Sequence, residues 1–239
     1  MEQPTRGPLT QTLAALCALS VCLCGVLLYI GNMPLNETVD NPDVAVDVPR
    51  IVIDPGHGGA DGGAQGPDGT LEKDLNLDIS LSLADLLRLF GYEVALTRET
   101  DTSLHDAGAS TLREQKVSDM QNRLKLYDSS DLTVSIHQNK FGQAQYHGTQ
   151  VFCSPNNPAS GTLGAVLRET IYSLLQPDNT RELKTGDKNI YLLYKTTAPA
   201  VIVECGFLSN PEELSQLKDP QYRRQFAYAV ACGVLAYAP

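Results

Sequence analysis

Three short apolar runs, each ending on a polar side chain, constrain the fold of this chain more than any other feature. The runs cover residues 51–54, 132–137 and 201–204. Longer segments separate them, and in residues 72–90 the apolar side chains recur at helical spacing. Strands that alternate with helices predict an α/β fold, in which helices cover both faces of a sheet.

The same periodicities predict where the remaining elements lie. Strands are expected at residues 51–54, 92–97, 132–137, 148–153, 190–193 and 200–204. Helices are expected at residues 72–90, 111–127, 162–175 and 222–237, with a further helix after Asn210. Gly91 is a natural stop for the first helix, and Asn210 followed by Pro211 is a typical helix start.

The composition changes near the amino terminus and suggests how the chain is organised. Residues 13–30 are almost entirely apolar, and about 20 such residues span a bilayer. We therefore predict a signal-anchor or transmembrane segment at residues 1–30, and favour an uncleaved anchor over a cleaved signal peptide. Residues 31–49 are acidic and contain prolines, as a linker does, and residues 50–239 are long enough for one domain.

Charge and cysteine content exclude several classes of protein. The formal net charge is -10, so the chain lacks the basic surface that binding to nucleic acid requires. Cys153, Cys205 and Cys232 fall in the predicted domain, and none of them belongs to a Cys-x-x-Cys pair. An odd number without that spacing argues against both a disulfide framework and a thiolate zinc site.

Polar residues at the ends of the apolar runs form a candidate site. His57 follows the first run, His137 ends the second and Glu204 ends the third, while Glu72 lies just beyond a glycine-rich loop. Strand ends and the loops beyond them are where α/β sheets bind ligands. Two imidazoles and a carboxylate can hold a Zn²⁺ ion with an open position, and the remaining carboxylate can act on its water.

Glu204 is the most informative of the four residues. It follows an apolar run and precedes Cys205, so its carboxylate is expected to be at least half buried. A buried carboxylate must be neutral, paired or near a metal, and a general base beside a metal-activated water meets that condition. A salt bridge to Arg98 or Arg123 is the structural alternative.

The other candidates also have simpler explanations. A single histidine at a strand end is usually a hydrogen-bonded structural residue, and an acid at the start of a helix, such as Glu72, is favoured by the helix dipole. The glycines of residues 56–63 fit neither the Walker nor the dinucleotide pattern. They are expected either to let the backbone pass close to a ligand or metal, or to form a turn-rich loop without a functional role. Asn139, Arg98 and Arg123 are candidates for substrate binding.

Together these motifs resemble the zinc-dependent N-acetylmuramoyl-L-alanine amidases of the type 3 fold. The resemblance covers residues 50–237. Its motifs are Ile-Asp-Pro-Gly-His-Gly-Gly at 53–59, Ser-Ile-His-Gln-Asn at 135–139 and Val-Glu-Cys-Gly-Phe-Leu-Ser-Asn at 203–210, with shorter runs at 71–75 and 96–98. It implies a three-layer α/β/α domain with a mixed, mostly parallel sheet of about six strands.

The resemblance also implies a reaction and a site. One Zn²⁺ per chain would be held by His57, Glu72 and His137, with Glu204 as the catalytic residue. The bond hydrolysed would be the amide between N-acetylmuramic acid and the L-alanine of the peptidoglycan stem peptide. The segment at residues 141–161 is too short for a helix that blocks the site, so an open cleft is expected.

Finer features are similar to the spore-cortex, germination-specific amidases. They are a single domain behind an N-terminal anchor and the runs at 97–102, 180–184, 190–193, 208–211 and 219–222. Such enzymes strip stem peptides so that a deacetylase can form muramic-δ-lactam. Because the predicted cleft is open, control is expected to come from expression, from location or from an activating or localising protein partner. The resemblance also implies a place at the extracytoplasmic face of a bacterial membrane, in the cell envelope or the forespore intermembrane space.

Other functions stay open on the sequence alone. A general cell-wall remodelling amidase, or a zinc peptidase that cuts stem peptides, would use the same four residues. A non-catalytic glycan-binding module is disfavoured because all four polar residues are present. A polyanionic interaction scaffold is also disfavoured, because it gives no reason for burying the Glu204 carboxylate.

Overall fold

The computed structural model of the chain describes residues 48–237. Its strands are β1 (Arg50–Pro55), β2 (Glu93–Leu96), β3 (Leu132–Asn139), β4 (Gln150–Cys153), β5 (Lys184–Thr185) and β6 (Ala200–Phe207). Its helices are α1 (Glu72–Leu89), α2 (Leu112–Asp128), α3 (Pro158–Leu175), α4 (Tyr191–Lys195), α5 (Pro211–Lys218) and α6 (Pro220–Tyr237). The anchor predicted at residues 1–30 and all but the last two residues of the linker predicted at 31–49 lie outside the described residues. Within that described range, every helix is too short or too polar to cross a bilayer.

The strands form one sheet in the order β2-β1-β3-β6-β4-β5. β1 is parallel to both β2 and β3, and β3 is parallel to β6. β4 is antiparallel to β6 and parallel to β5, so these two strands run opposite to the other four. The expected mixed, mostly parallel sheet is confirmed, and the carboxyl ends of β1, β3 and β6 lie side by side.

Helices cover both faces of the sheet, because the side chains of each central strand alternate between two apolar layers. On the first face, Ile53 and Val203 pack with α1, α3 and α6 in the larger core. On the second face, Val52 and Ile202 pack with α2 and α4 in a smaller core. The same alternation directs Glu204, two residues beyond Ile202, toward the second face.

Residues 190–193, predicted as a strand, lie instead at the start of the short helix α4. A run of four apolar residues has no periodicity that separates a buried strand from a buried helix. The Ile190 N–H donates to the Asp187 carbonyl at 2.9 Å, and this turn leads into the helix. Leu192 and Leu193 then pack into the smaller core.

Two further differences concern α3 and β5. α3 begins at Pro158, earlier than the predicted residue 162, because the Asn157 side chain accepts from the Ala159 N–H and caps the helix. β5 has no counterpart among the predicted strands, since its two exposed residues carry no apolar pattern.

The cysteines of the described domain are unpaired. Cys153 and Cys205 are buried, and Cys232 is partly buried. Cys153 and Cys205 pack in the larger core on the first face of the sheet. Burial raises the pKa of Cys205 well above its usual value, so its thiol behaves as a small apolar group.

Candidate active site

Three strand ends bring the predicted site residues together. His137 on β3 is paired in register with Glu204 on the neighbouring parallel strand β6. The loop that follows β1 carries His57, and α1 begins at Glu72 beside the same end of the sheet. The four residues therefore meet at the carboxyl ends of the central strands, where α/β sheets bind their ligands.

Glu72 lies between the two imidazole rings. Its Oε1 atom is 2.9 Å from His137 Nδ1 and 3.3 Å from His57 Nε2. One donor atom from each of the three residues falls within 4.8 Å of the others. Ligand atoms around a tetrahedral zinc ion are about 3.3 Å apart, so the spacing and the donor types suit such an ion.

The carboxylate of Glu72 is buried and is held in place by backbone donors. Its Oε2 atom accepts from the Ala64 N–H at 2.7 Å, and its Oε1 atom accepts from the Gln138 N–H at 3.0 Å. Asn76, one helical turn along α1, donates to Oε1 and to the Gly56 carbonyl. Burial opposes ionisation, but the hydrogen bonds and charges of the two histidines hold the pKa of Glu72 far below its usual range. Glu72 is therefore a fixed anion.

Asp61 holds the ring of His57 on its opposite side. Asp61 Oδ1 lies 3.1 Å from His57 Nδ1 and also accepts from the Gly63 N–H. Its Oδ2 atom is 3.2 Å from Lys116 Nζ on α2. Burial alone would raise the pKa of Asp61, but His57, Gly63 and Lys116 together lower it. A carboxylate on Nδ1 leaves Nε2 directed at Glu72, as outer carboxylates do in metal sites.

Glu204 faces the same space without a hydrogen-bonding partner. Its Oε2 atom is shielded from solvent and has no hydrogen bond within residues 48–237. Burial raises the pKa of Glu204 to about 7. The charge of His137 lowers this pKa, and the charge of Glu72 raises it further. A carboxyl group that titrates near neutrality can both accept and release a proton, which general acid–base catalysis requires.

Arg98 and Arg123, predicted to bind substrate, support the loop beneath the site. Arg98 donates to the carbonyls of Pro55 and Gly56 at 3.0 Å each. Arg123 donates to the carbonyls of Pro55 at 3.0 Å and His57 at 2.7 Å. The two arginines are 3% and 2% exposed. Their guanidinium groups are engaged by the protein itself, and the role of both in substrate binding stays a prediction.

Asp54 is the buried anion that partners Arg123. Its carboxylate accepts hydrogen bonds from the Arg123 guanidinium and from the hydroxyl groups of Thr97, Tyr127 and Ser135. Burial opposes its charge, but these donors hold the pKa of Asp54 well below its usual range. Within the described residues neither arginine pairs with Glu204, so the salt bridge considered from the sequence does not form.

Two glycines of the loop after β1 are explained by close approach to the site. A Cβ at Gly56 would lie 2.3 Å from the His137 ring. At Gly63 the φ angle is +68°, and a Cβ would lie 2.6 Å from Glu72 Oε2. These glycines let the backbone pass close to the site residues, since a side chain would displace one of them. Their predicted close approach to a ligand or metal stays a prediction.

The site opens into a cleft of about 510 Å³ between α2 and residues 189–192. His57, His137 and Glu204 are among the residues that line it. In the segment at residues 141–161, the helical residues are 158–161, which form the first turn of α3. A cleft of this size is typical of sites that take a small molecule or part of a polymer.

The sequence analysis missed Asp61 and Asn76 as parts of the site. Each carries a positional signal, because Asp61 lies four residues after His57 and Asn76 lies four residues after Glu72. In a helix that spacing places two side chains on one face, which would have found Asn76. Asn139 is partly exposed at the end of β3, and its role in substrate binding stays a prediction.

Fold and site together define an α/β/α enzyme domain. Two imidazoles and a carboxylate are placed to hold a metal ion, and a second carboxyl group lies beside them. Residues 51–236 match the family model described as N-acetylmuramoyl-L-alanine amidase. The chain belongs to this family, which confirms the resemblance seen in its motifs. It is an N-acetylmuramoyl-L-alanine amidase that acts on the peptidoglycan of the cell wall, outside the cytoplasm.

Individual relatives share most of the domain. The germination-specific N-acetylmuramoyl-L-alanine amidase of Bacillus subtilis (strain 168) is 35% identical over 189 residues, which are 78% of each chain. The solved structure of the CwlD amidase from Clostridioides difficile, in complex with the GerS lipoprotein, matches with a TM-score of 0.76 and 38% identity over 79% of this chain and 98% of that one. AmiC2 of Nostoc punctiforme matches with a TM-score of 0.68 and 30% identity over 79% and 96%.

Proposed function

We propose that this amidase uses one Zn²⁺ ion held by His57, Glu72 and His137, and that Glu204 is its catalytic residue. The main support is a set of three donor atoms within 4.8 Å of one another. A carboxyl oxygen that has no partner within residues 48–237 lies beside them. Two imidazoles and one carboxylate are a common ligand set for catalytic zinc. When bound, the ion would supply Lewis acidity to the scissile carbonyl and lower the pKa of a water molecule.

The protein's own groups would then move the proton and keep the site in place. Glu204 would take a proton from the attacking water and deliver it to the nitrogen of L-alanine as the amide bond breaks. Its buried carboxyl group, one oxygen of which has no partner among the described residues, is free to take up and release that proton. Asp61 would keep Nε2 of His57 directed at the site, and Arg123 would hold the His57 backbone before substrate arrives.

We infer that the enzyme acts on the peptidoglycan of the spore cortex. The enzyme would hydrolyse the amide between N-acetylmuramic acid and L-alanine and release stem peptides. A downstream deacetylase could then act on the bare muramic acid residues and form muramic-δ-lactam. Similarity to the germination-specific amidase of Bacillus subtilis and to the CwlD amidase of Clostridioides difficile supports this assignment.

A protein partner and a membrane anchor complete the proposal. The CwlD amidase from Clostridioides difficile was solved in complex with a lipoprotein, which supports an activating or localising partner for this chain. Residues 1–30 would anchor the catalytic domain, residues 50–239, through the linker at residues 31–49. The domain would work in the cell envelope or forespore intermembrane space, with Asn139 contacting substrate.

Digestion of cortex-like peptidoglycan by the full-length protein tests the proposed reaction. Mass spectrometry should detect intact stem peptides that begin with a free L-alanine amino group, and a chelator should abolish their release. A zinc peptidase would instead produce cuts inside the stem peptides. Glycan strands that keep all their peptides after incubation with the zinc-loaded protein would refute the proposal.

Two variants separate metal binding from proton transfer. Glu204→Gln should keep close to one zinc per chain but lose about 10²- to 10⁴-fold in turnover, because the proton carrier is gone. His57→Ala should lose both zinc and turnover. Glu212→Gln, an exposed acid on α5, is the matched control and should resemble the wild type. Wild-type rates from Glu204→Gln would refute its catalytic role.

A further inference from the structure

The cleft continues beyond the metal-ligand candidates along α2. Its walls there are largely apolar and are formed by Leu112, Met120, Ile190, Tyr191, Leu192 and Ile202. The mechanism proposed above places chemistry near His57 and Glu204, and uses none of these side chains. This part of the cleft is therefore available to the portion of the substrate on one side of the scissile amide.

Lys116 supplies a positive charge to this part of the cleft. Among the described residues that line it, Lys116 is the sole lysine, and the guanidinium of Arg123 is buried against Asp54. The Lys116 side chain is 66% exposed, and its Nζ atom is 3.2 Å from Asp61 Oδ2. An ammonium group has three N–H donors, so it can keep this contact and bind a second anion.

The two sides of the scissile amide differ in charge. On the glycan side the N-acetyl sugars are neutral, because the carboxyl group of muramic acid is consumed in the amide itself. On the peptide side, a second residue that is D-glutamate linked through its side chain keeps a free α-carboxylate. An exposed cation in the cleft complements the peptide side, since opposite charges favour that orientation.

Lys116 lies close enough to the site to reach that carboxylate. Asp61 contacts His57 Nδ1 at 3.1 Å and Lys116 Nζ at 3.2 Å, so the ammonium lies within about 9 Å of the His57 ring. Consecutive Cα atoms are 3.80 Å apart, which puts the α-carboxylate of the second residue about 7 Å from the scissile carbonyl.

We propose that Lys116 binds the α-carboxylate of the second stem-peptide residue and that the cleft along α2 takes the stem peptide. Lys116 is then a specificity-determining residue that separates acidic from amidated stem peptides. The proposal rests on the proposed function, because it assumes that the scissile amide lies beside His57 and Glu204.

Two glycan–peptide fragments that differ in one group test this assignment. One carries D-isoglutamate as the second residue, and the other carries D-isoglutamine, whose α-carboxylate is replaced by a neutral amide. The zinc-loaded wild-type protein should prefer the acid by about fivefold in kcat/KM, as expected for an exposed ion pair. Lys116→Gln should bring the ratio of the two kcat/KM values to about one, and Lys116→Glu should invert it.

Lys125→Gln is the matched control, because Lys125 is an exposed lysine of the same helix that does not line the cleft. It should keep the wild-type preference. Zinc content is measured for every variant, since Lys116 also contacts Asp61. Loss of zinc from Lys116→Gln would show that Lys116 acts through His57, and this would overturn the substrate role.

The remaining outcomes separate this inference from the proposed function. Equal wild-type rates on the two fragments, or a preference that survives in Lys116→Gln, would overturn the role of Lys116 and leave the amidase mechanism standing. If the zinc-loaded wild type cleaved neither fragment at the muramoyl amide, both proposals would fail.

Discussion

Three of the four site residues differ in how the surrounding structure treats them. Glu72 is fixed as an anion by backbone N–H groups of Ala64 and Gln138. His57 is oriented by the carboxylate of Asp61. Glu204 has one oxygen without a hydrogen bond in the described domain, and burial raises its pKa to about 7. A fixed anion and an oriented imidazole suit metal binding, whereas a carboxyl group that is free to change its charge suits proton transfer.

Replacing Asp61 tests whether its carboxylate orients His57 for a metal. Asp61→Asn keeps the shape of the side chain and removes its charge, so zinc affinity should fall by about 10- to 100-fold. Competition with a chromophoric chelator measures this affinity directly. Asp85→Asn, whose side chain is 81% exposed on α1, is the control and should bind zinc like the wild type. Unchanged affinity in Asp61→Asn would contradict the orienting role.

Among the secondary-structure elements, the loop after β1 depends most on close packing. Its backbone passes against His137 at Gly56 and against Glu72 at Gly63. Arg98 and Arg123 hold its carbonyl groups from below. The loop therefore has its shape before any ligand arrives, which is the condition for a preorganised site.

A methyl group at Gly56 should break this arrangement. Gly56→Ala would place Cβ within 2.3 Å of the His137 ring, so the ring must move. We expect loss of zinc binding and of activity, with about 1–3 kcal/mol of lost stability from overpacking. Gly142→Ala is the control, since a Cβ there meets no atom within 4 Å. Zinc content and thermal unfolding of both variants give the result. A fully zinc-loaded Gly56→Ala protein would contradict the close approach.

The buried pair of Asp54 and Arg123 joins β1 to α2, and its removal should lower stability. Asp54→Asn leaves Arg123 without its closest anion, and breaking such a pair costs about 3–5 kcal/mol. Denaturant unfolding at neutral pH measures this difference. Asp106→Asn, at an exposed carboxylate with a lowered pKa, is the control and should cost far less.

The same pair predicts how stability depends on pH. The pKa of Asp54 is depressed in the folded state, so its ionised form stabilises the fold above the unfolded pKa of about 3.9. That contribution should be lost as the pH falls through the lower folded pKa. The stability difference between the wild type and Asp54→Asn should therefore be constant from about pH 5 to pH 8 and shrink below about pH 4. A constant difference at all pH values would contradict the charged pair.

For the whole molecule, the apolar core and the site occupy separate places. The larger core lies between the sheet and α1, α3 and α6, and the smaller core lies under α2 and α4. The metal-ligand candidates lie at the carboxyl ends of the strands, where they border the cleft. None of the metal-ligand candidates belongs to either core, so we expect the core to form without an ion.

Metal removal should abolish activity and leave the fold in place. Zinc that binds the folded chain raises its stability through linkage, by about 2.7 kcal/mol when the free ion is at 100 times its Kd. Chelator treatment should lower the Tm accordingly, with an unchanged far-ultraviolet circular dichroism spectrum, and added zinc should restore both Tm and activity. Unfolding of the chain by chelator at room temperature would contradict this independence.

Long periodic segments were predictable from the sequence, and short ones were not. The apolar periodicity of residues 72–90 corresponds closely to α1, and the β-branched runs became β1, β3 and β6. Residues 190–193 were assigned to the wrong class because four apolar residues fit a strand and a helix equally well. The two residues of β5 form a strand only because β4 lies next to them.

The sequence by itself determined the α/β class, the family and the four residues that meet at the strand ends. These depend on local periodicity and on short motifs, which each segment carries along its own length. Only the tertiary structure decided which neighbours hold those residues, such as Asp61 beside His57, and that Arg98 and Arg123 donate to backbone carbonyls of the loop after β1. A charged side chain pairs with whichever group packing brings near, and residues far apart in the chain become neighbours only when the sheet and its helices assemble.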